Sequence, residues 1–246
     1  MPRFFIQSAG ISDGRAVITG EDAGHITRAL RMKPGEHVTL CDEAGVEYET
    51  VLLLTGERVE CEILSAKPSG NEPPYRAVVY QALVKGDRFE TVLMKATELG
   101  AARIVPVSSA RCTVRLEAKE YAKKRERWQR IAAEAAKQCG RARIPEVTDP
   151  VPFTAAITEA ARADLPLFCY EAEGTEPLPV HLSPEKIPGT VSVVIGPEGG
   201  FEEAEADEAR ALGMKMTGLG RRILRTETAA PAVLACLSCR YEMGRT

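Results

Sequence analysis

The sequence of 246 residues has no uninterrupted apolar run of about 18 residues, the length that a membrane-spanning helix needs. Near its start only residues 4–6 form an apolar burst, which is far too short for the core of a secretory signal. Histidine occurs three times, at widely separated positions, and this spacing predicts no metal site. These absences lead us to expect a metal-free protein that stays in the cytoplasm.

A disulfide framework is not expected either, because the seven cysteines are odd in number and scattered along the chain. Such usage is typical of buried thiols in a reducing compartment. Cys236 and Cys239 have CxxC spacing, but they lie within an alanine- and leucine-rich helical pattern, and no second pair accompanies them. We therefore expect both cysteines to pack in the core.

Two signatures of nucleotide binding are also missing: a G-x-G-x-x-G segment after the first strand of a nucleotide-binding unit, and a P-loop. In their place, the strand-like run 191–195 leads into the turn Gly-Pro-Glu-Gly-Gly at 196–200. Glycines let the backbone approach a ligand closely, whereas Glu202 and Glu203 at the start of the next predicted helix disfavour an anion. The turn suits a neutral or cationic ligand, although a purely structural turn explains it equally well.

Charge is unevenly distributed although the net charge of the chain is only −3. Residues 111–143 carry eleven basic and four acidic side chains, a net charge of +7. Residues 1–72 carry seven basic and twelve acidic side chains, a net charge of −5. The middle of the chain is therefore a candidate for contact with phosphates, and a solvated helix surface is the alternative.

The organisation of the chain changes near residue 70. Before it, short strand patterns surround one helix-like segment, Glu21–Met32, as in a small β-barrel. A proline-rich linker at 67–75 follows, and then strands alternate with helices, as in a parallel sheet covered on both faces. We place the domains at 1–70 and 71–246. Ligands of open parallel sheets bind beyond the carboxyl ends of strands, here the loops 170–174, 196–201 and 218–228.

The last of these loops combines Arg221, Arg222 and Arg225 with the apolar Ile223 and Leu224. The alternation indicates that part of the loop faces inward. An apolar, backbone-lined pocket beside several arginines suits a nucleoside-like cofactor next to an RNA backbone. Helix capping and ordinary surface charge form the alternative explanation.

The segments IGPEGGF (195–201) and LGRRILRTETA (219–229) resemble the paired signature of the RsmE family, 16S ribosomal RNA uridine-N3 methyltransferases of the SPOUT superfamily. Residues 25–42, 85–101, 108–114 and 127–147 resemble further parts of that family. The resemblance implies a PUA-like RNA-binding β-barrel in the first domain. It implies an α/β SPOUT-type methyltransferase domain in the second, with a parallel sheet and a C-terminal trefoil knot. It also implies a homodimer with active sites at the interface.

The same resemblance implies methylation by S-adenosyl-L-methionine of uridine N3 in 16S rRNA of the 30S subunit, at uridine 1498. Cofactor contacts are expected at Glu171, Gly196, Glu198, Gly199, Gly200, Leu219, Gly220, Ile223, Leu224 and Thr226. Arg225 and Arg222 would stabilise negative charge on the uracil oxygens. Glu227 and Thr226 are candidates for a general base, although helix capping or a dimer contact explains these two residues at least as well. RNA contacts are expected at Arg28, Arg31, Lys85, Arg88, Arg111 and Arg141.

Two alternatives remain open at this point. The same scaffold could methylate another RNA, or another base or ribose position. It could also serve as an RNA-binding protein without catalysis. The two intact signature loops count against the second alternative, because a protein that only binds RNA has no use for a cofactor pocket.

Overall fold

A computed structural model describes residues 1–183 and 185–243 of the chain. These residues divide into two compact units, one comprising Met1–Glu72 with Ala136–Arg143, the other Pro73–Ala135 with the chain from Ile144 onward. Within the described ranges, each helix is too short or too polar to cross a lipid bilayer. The boundary predicted between residues 70 and 71 stays a prediction.

The first unit is built on a six-stranded sheet with the order β1-β4-β5-β6-β3-β2. Its strands are β1 (Arg3–Phe5), β2 (Ile11–Ser12), β3 (Arg15–Ile18), β4 (His37–Cys41), β5 (Val46–Leu54) and β6 (Val59–Pro68). Strands β1 and β4 pair in parallel, and the remaining pairs are antiparallel. Alternate apolar side chains such as Phe4, Ile18, Leu40 and Leu52 are buried between the sheet and the segment containing Ile26.

The helix predicted for Glu21–Met32 is not one continuous α-helix. A short α-helix, α1 (Gly20–Gly24), passes into a π-helical turn at His25–Ala29, and Arg31 adopts a left-handed conformation with φ of 53°. Backbone hydrogen bonds from Leu30 N to His25 O (2.9 Å) and from Met32 N to Ile26 O (3.0 Å) close the segment. The helix-like segment is thus confirmed over most of its length, and the π-helical turn was not predicted because apolar periodicity does not distinguish i→i+4 from i→i+5 hydrogen bonding.

Residues 136–143 complete the first unit through polar contacts. Lys137 forms an ion pair of 2.8 Å with Asp22, and the Asn71 side chain donates a hydrogen bond of 2.9 Å to the Gly140 carbonyl. The buried guanidinium of Arg141 pairs with Glu72 at 2.7 Å. A segment distant in the sequence therefore belongs to this unit.

The second unit contains a sheet in which every pairing is parallel, with the order β10-β8-β7-β13-β11-β14-β12 and with β9 beside β8. Its strands are β7 (Arg76–Ala82), β8 (Ala101–Ser108), β9 (Glu146–Val147), β10 (Val151–Pro152), β11 (Leu165–Cys169), β12 (Glu176–Pro177), β13 (Thr190–Ile195) and β14 (Lys215–Gly218). Its helices are α2 (Arg88–Glu98), α3 (Ala118–Cys139), whose last four residues join the first unit, α4 (Phe153–Ala160), α5 (Leu178–His181), α6 (Glu203–Ala211) and α7 (Thr226–Tyr241). The predicted parallel α/β fold is confirmed.

Both faces of this sheet are covered. On one face, apolar residues of α2 and α7 such as Leu93 and Leu234 pack on the central strands. On the other, α4 and α6 pack around Phe168 and Phe201. Because β7, β11 and β13 are buried on both sides, they consist of nearly continuous apolar runs in the sequence. The trefoil knot stays a prediction.

The expectation that Cys236 and Cys239 pack in the core is wrong. Both side chains are exposed, although they belong to α7. The face of α7 that carries Val233 and Leu237 is buried against the sheet. An i, i+3 pair therefore lies together on the opposite face, which an apolar composition alone does not reveal.

Candidate active site

The carboxyl ends of β13, β11 and β14 lie side by side, because these strands are neighbours in the parallel sheet. The loops that follow them, together with the first turn of α7, line a cavity of about 480 Å³. The three loops singled out in the sequence thus meet in one place, as the strand order of an open parallel sheet leads one to expect.

Most of the predicted site residues line this cavity. The predicted catalytic residues Arg222, Arg225 and Glu227 lie on its wall. So do Glu171, Gly196, Glu198, Gly200, Leu219, Gly220, Ile223, Leu224 and Thr226. Gly199 is not part of the lining, and its carbonyl oxygen accepts a hydrogen bond of 3.1 Å from Arg111 Nη1. The roles assigned to these residues stay predictions.

Glycine is required at one position of the turn after β13. Gly200 has a φ of +67°, a left-handed conformation that other residues rarely adopt. A Cβ atom at Gly200 would also collide with the carboxylate oxygen Oε1 of Glu171, which follows β11. The bare backbone at this residue therefore allows two of the loops to approach each other.

A chain of hydrogen bonds connects the turn to α7. The Thr226 hydroxyl donates to the Gly196 carbonyl oxygen at 2.6 Å and accepts from Gln81 Nε2 at 2.8 Å. Thr226 and Gln81 are both buried. Sequence reasoning missed Gln81, although a lone polar residue near the end of the apolar strand VVYQALV was a usable signal.

An arginine joins the acidic residues of the two signature loops. Arg88 Nη1 pairs with Glu198 Oε1 at 2.8 Å, and Arg88 Nε lies 4.0 Å from Glu227 Oε1. Burial raises the pKa of the Glu198 carboxyl, but backbone N–H groups of Glu198 and Lys85 and the charge of Arg88 outweigh it. The pKa therefore lies below its ordinary value. The Glu198 carboxylate is thus already paired within the protein.

The two carboxylate oxygens of Glu227 have different environments. Its Oε1 atom faces Arg88, whereas its Oε2 atom is buried and has no hydrogen-bond partner among the described residues. A buried acceptor without a donor is unfavourable, so this oxygen has capacity for an additional hydrogen bond.

The rim of the cavity is positively charged and open. Arg221, Arg222 and Arg225 are exposed, and Ile223 between them is 85 % exposed. Arg225 occupies the N-cap position of α7 without a capping hydrogen bond from its side chain. The expected alternation holds only in part, since Leu224 is half-buried while Ile223 points to solvent.

The residues predicted to contact RNA have different environments. Arg28 and Arg31 are exposed in the first unit, and Lys85 and Arg111 are exposed near the cavity of the second. Arg88 lines the cavity in its ion pair with Glu198. Arg141 is only 4 % exposed and is held by Glu72, so its side chain has no surface to offer a phosphate. We therefore do not retain Arg141 as an RNA contact.

Arg88 was predicted only as an RNA contact, and Tyr170, Pro197, Gly218 and Arg221 belong to the predicted ligand loops without an individual role. The remaining wall residues lie outside those loops and were not predicted: Cys169, Thr175, Ile195, Thr217 and Ala229. Among residues 1–183 and 185–243, no three His, Cys, Asp or Glu side chains come together to hold a metal ion.

Two models of known protein families match separate parts of the chain. A family model described as an RNA methyltransferase domain matches residues 71–238, and one described as an RNA methyltransferase PUA domain matches residues 18–66. The chain is 34 % identical over 233 residues to ribosomal RNA small subunit methyltransferase E of Bacillus subtilis, covering 93 % of this chain and 91 % of the relative. The chain belongs to the ribosomal RNA small subunit methyltransferase E family.

Further members of this methyltransferase E family give the same result. The protein of that name from Aquifex aeolicus is 32 % identical over 91 % of this chain and 94 % of its own length. A crystal structure of methyltransferase E from Neisseria gonorrhoeae, bound to S-adenosyl methionine, is 31 % identical with a TM-score of 0.84, covering 97 % of each chain. The predicted family and the PUA-like first domain are confirmed, and the assignment of the α/β domain to the SPOUT superfamily stays a prediction.

Proposed function

We propose that the chain transfers the methyl group of S-adenosyl-L-methionine to N3 of a uridine in 16S ribosomal RNA. The observation that carries the proposal is the cavity where the two family signatures, at 195–201 and 219–229, meet beside three exposed arginines. The methyl–sulfur bond breaks as the methyl–N3 bond forms. The products are N3-methyluridine, S-adenosylhomocysteine and the proton released from N3.

The cavity fits the cofactor in volume and chemistry. About 480 Å³ lies within the usual range of small-molecule sites. The backbone at Gly196, Gly200 and Leu219 can exchange hydrogen bonds with the adenine and ribose, while the half-buried Leu224 supplies apolar contact. Because the Glu198 carboxylate is held by Arg88, its proposed role is to order the turn rather than to pair with the sulfonium.

Charge stabilisation is the proposed task of the arginines. Uridine N3 must lose its proton to become a nucleophile, and the resulting negative charge is shared by the uracil oxygens. Arg225, at the N-cap of α7, and Arg222, on the same loop, both line the cavity, which supports this role for them. Holding the methyl donor in line with N3 supplies further rate enhancement through proximity.

Glu227 is the proposed acceptor of the N3 proton. Its Oε2 atom, which has no hydrogen-bond partner among residues 1–183 and 185–243, has capacity for a further hydrogen bond, while Oε1 faces Arg88. Since Oε2 is covered by protein atoms, this role requires the rim of the cavity to move when RNA binds. Thr226 does not suit the role, because its hydroxyl already donates to Gly196.

RNA contacts are proposed for exposed cations of each unit separately. In the second unit they are Lys85 and Arg111, near the cavity, and in the first unit they are Arg28 and Arg31. The unusual backbone at 25–31 holds the last two in a defined conformation. Family membership also supports a homodimer, the 30S subunit as the substrate particle, uridine 1498 as the target and the cytoplasm as the site of reaction.

The experiment combines cofactor binding with product analysis. Calorimetry with S-adenosyl-L-methionine separates an enzyme from a non-catalytic RNA-binding protein, because only the enzyme needs the cofactor; the absence of binding would refute the proposal. Transfer of labelled methyl groups is then measured on 30S subunits lacking the modification and on naked 16S rRNA. Recovery of N3-methyluridine supports the proposal. Recovery of another methylated nucleoside establishes the alternative of a different target position.

A further inference from the structure

Gln81 is a buried polar residue that does not itself line the cavity. It lies near the end of β7 with a relative exposure of 0 %, in register with Ile195 of β13 and Pro106 of β8. Around it, β7 consists of apolar residues that pack in the core. A glutamine at this place therefore needs a physical explanation.

The orientation of its amide group follows from its neighbours. The Thr226 hydroxyl lies 2.6 Å from the Gly196 carbonyl oxygen, which can only accept a hydrogen bond, so the hydroxyl proton is directed to Gly196. The hydroxyl oxygen must then accept a proton from Gln81, which places the amide nitrogen at 2.8 Å from it. The same nitrogen lies 3.2 Å from the Ala82 carbonyl oxygen. Both observations assign the NH₂ group, and not the oxygen, to the side facing Thr226.

This orientation leaves the other half of the amide unsatisfied. Gln81 Oε1 is buried and has no hydrogen-bond partner within the part of the chain that the structure describes. An unpaired buried acceptor costs free energy, whereas an apolar side chain of similar volume would avoid that cost. The amide is thus used at this position for its donor group.

We propose that Gln81 is a positioning residue of the methyl-donor site, acting through Thr226. Its hydrogen bond fixes the Thr226 hydroxyl, which in turn fixes the carbonyl of Gly196. The relay joins the end of β7, the turn after β13 and the first residue of α7. Gly196 and Thr226 line the cavity, so the relay holds two of its walls in place before a ligand arrives. Such preorganisation reduces the ordering cost of binding.

This inference rests on the proposed function for the identity of the ligand, and its test therefore includes a measurement without ligand. Gln81→Met keeps the shape of the side chain and removes the donor, and Thr226→Val removes the hydroxyl. The double variant and Thr226→Ser, which keeps the hydroxyl, complete the series. Ser192→Ala is the matched control, because it removes a buried hydrogen bond of 2.8 Å to Ala160 from the same sheet, outside the cavity.

The expected result is a change in both affinity and local order. Gln81→Met and Thr226→Val should each weaken S-adenosyl-L-methionine binding by roughly 2- to 12-fold, the range for one net hydrogen bond. In the Thr226→Val background, Gln81→Met should change the dissociation constant less than twofold, because the relay is already broken. Amide hydrogen exchange in residues 196–201 should become faster in the unliganded single variants. Ser192→Ala should behave like the parent chain in both measurements, and Thr226→Ser, which keeps the hydroxyl, should lose less affinity than Thr226→Val.

Other outcomes overturn the inference. If exchange in residues 196–201 is the same in Gln81→Met as in the parent chain, no relay orders the turn. If the two single effects on affinity simply add in the double variant, Gln81 does not act through Thr226. If the parent chain binds no S-adenosyl-L-methionine, the proposed function fails, while the exchange data still decide whether the relay exists.

Discussion

Replacing Gly200 by alanine should weaken binding of S-adenosyl-L-methionine, whereas the same change at the neighbouring Gly199 should not. Gly200 has a φ of +67°, and a Cβ atom there would meet Glu171 Oε1. Gly199 does not adopt the left-handed conformation, and its Cβ atom would lie 3.5 Å from the Arg111 Cβ, an ordinary van der Waals distance. The two adjacent glycines thus form a matched pair.

The expected loss of affinity in Gly200→Ala follows from the backbone conformation at this residue. A non-glycine residue in the left-handed conformation costs roughly 1–2 kcal/mol, which corresponds to a factor of roughly 5 to 30 in an equilibrium constant. The contact with Glu171 adds less, because the end of a glutamate side chain can move. If the turn at 196–200 of Gly200→Ala relaxes to another conformation without ligand, the strain must be restored on binding, and the affinity falls. If the turn keeps its native conformation without ligand, the same strain lowers the stability of the folded protein.

Calorimetry and thermal unfolding of Gly200→Ala, Gly199→Ala and Glu171→Ala/Gly200→Ala measure these effects. Removing the Glu171 carboxylate relieves the collision but not the backbone strain. Gly200→Ala should therefore cost only slightly less affinity and stability in the Glu171→Ala background than in the parent chain. Equal effects at positions 199 and 200, or no effect of Gly200→Ala on either affinity or melting temperature, would refute the argument from backbone conformation.

Three further predictions concern charged residues. The lowered pKa of Glu198 stabilises the folded state above the ordinary value of 4.5, and this contribution is lost as pH falls through the lower folded-state pKa. Thermal unfolding against pH should show a smaller acid-side loss of stability in Glu198→Gln than in the parent chain, in which other carboxyls such as Asp42 and Glu47 also have lowered pKa values. Arg225→Ala should lower turnover at saturating substrates by roughly 10²- to 10³-fold if it stabilises the uracil oxygens, and single-turnover kinetics would contradict that role if only affinity changed. Arg28→Ala should reduce the magnitude of the slope of log affinity for RNA against log salt by about 1, whereas Arg141→Ala should lower the melting temperature instead.

The sequence predicted the parts of the site that are local. The turn at 196–200 carries its glycines, and the loop at 218–228 its glycines, apolar residues and arginines, within a dozen residues each. The parallel sheet brings the two together because ligand loops follow strand ends. The alternation of strands and helices predicted that sheet. Local pattern and topology were therefore sufficient for the place of the cavity.

What the sequence could not predict are the partners of individual side chains. Gln81 and Thr226 are 145 positions apart, and nothing in their local patterns indicates that they share a hydrogen bond. Arg88 and Arg141 belong to basic or mixed segments, yet each is neutralised by a distant glutamate. The charge composition of a segment suggests that such arginines are available to bind phosphates. Only the folded structure shows that they are already paired with carboxylates.

The exposed face of α7 has a practical consequence. Cys236 and Cys239 are exposed, whereas Cys41, Cys61, Cys112 and Cys169 are buried and Cys139 is partly so. An alkylating reagent should therefore modify the last helix first in a lone subunit, and mass spectrometry would locate the adducts. If two copies associate through this helix, both thiols should become protected from alkylation as protein concentration rises. Alkylation of the unaltered chain would therefore report whether copies associate through α7.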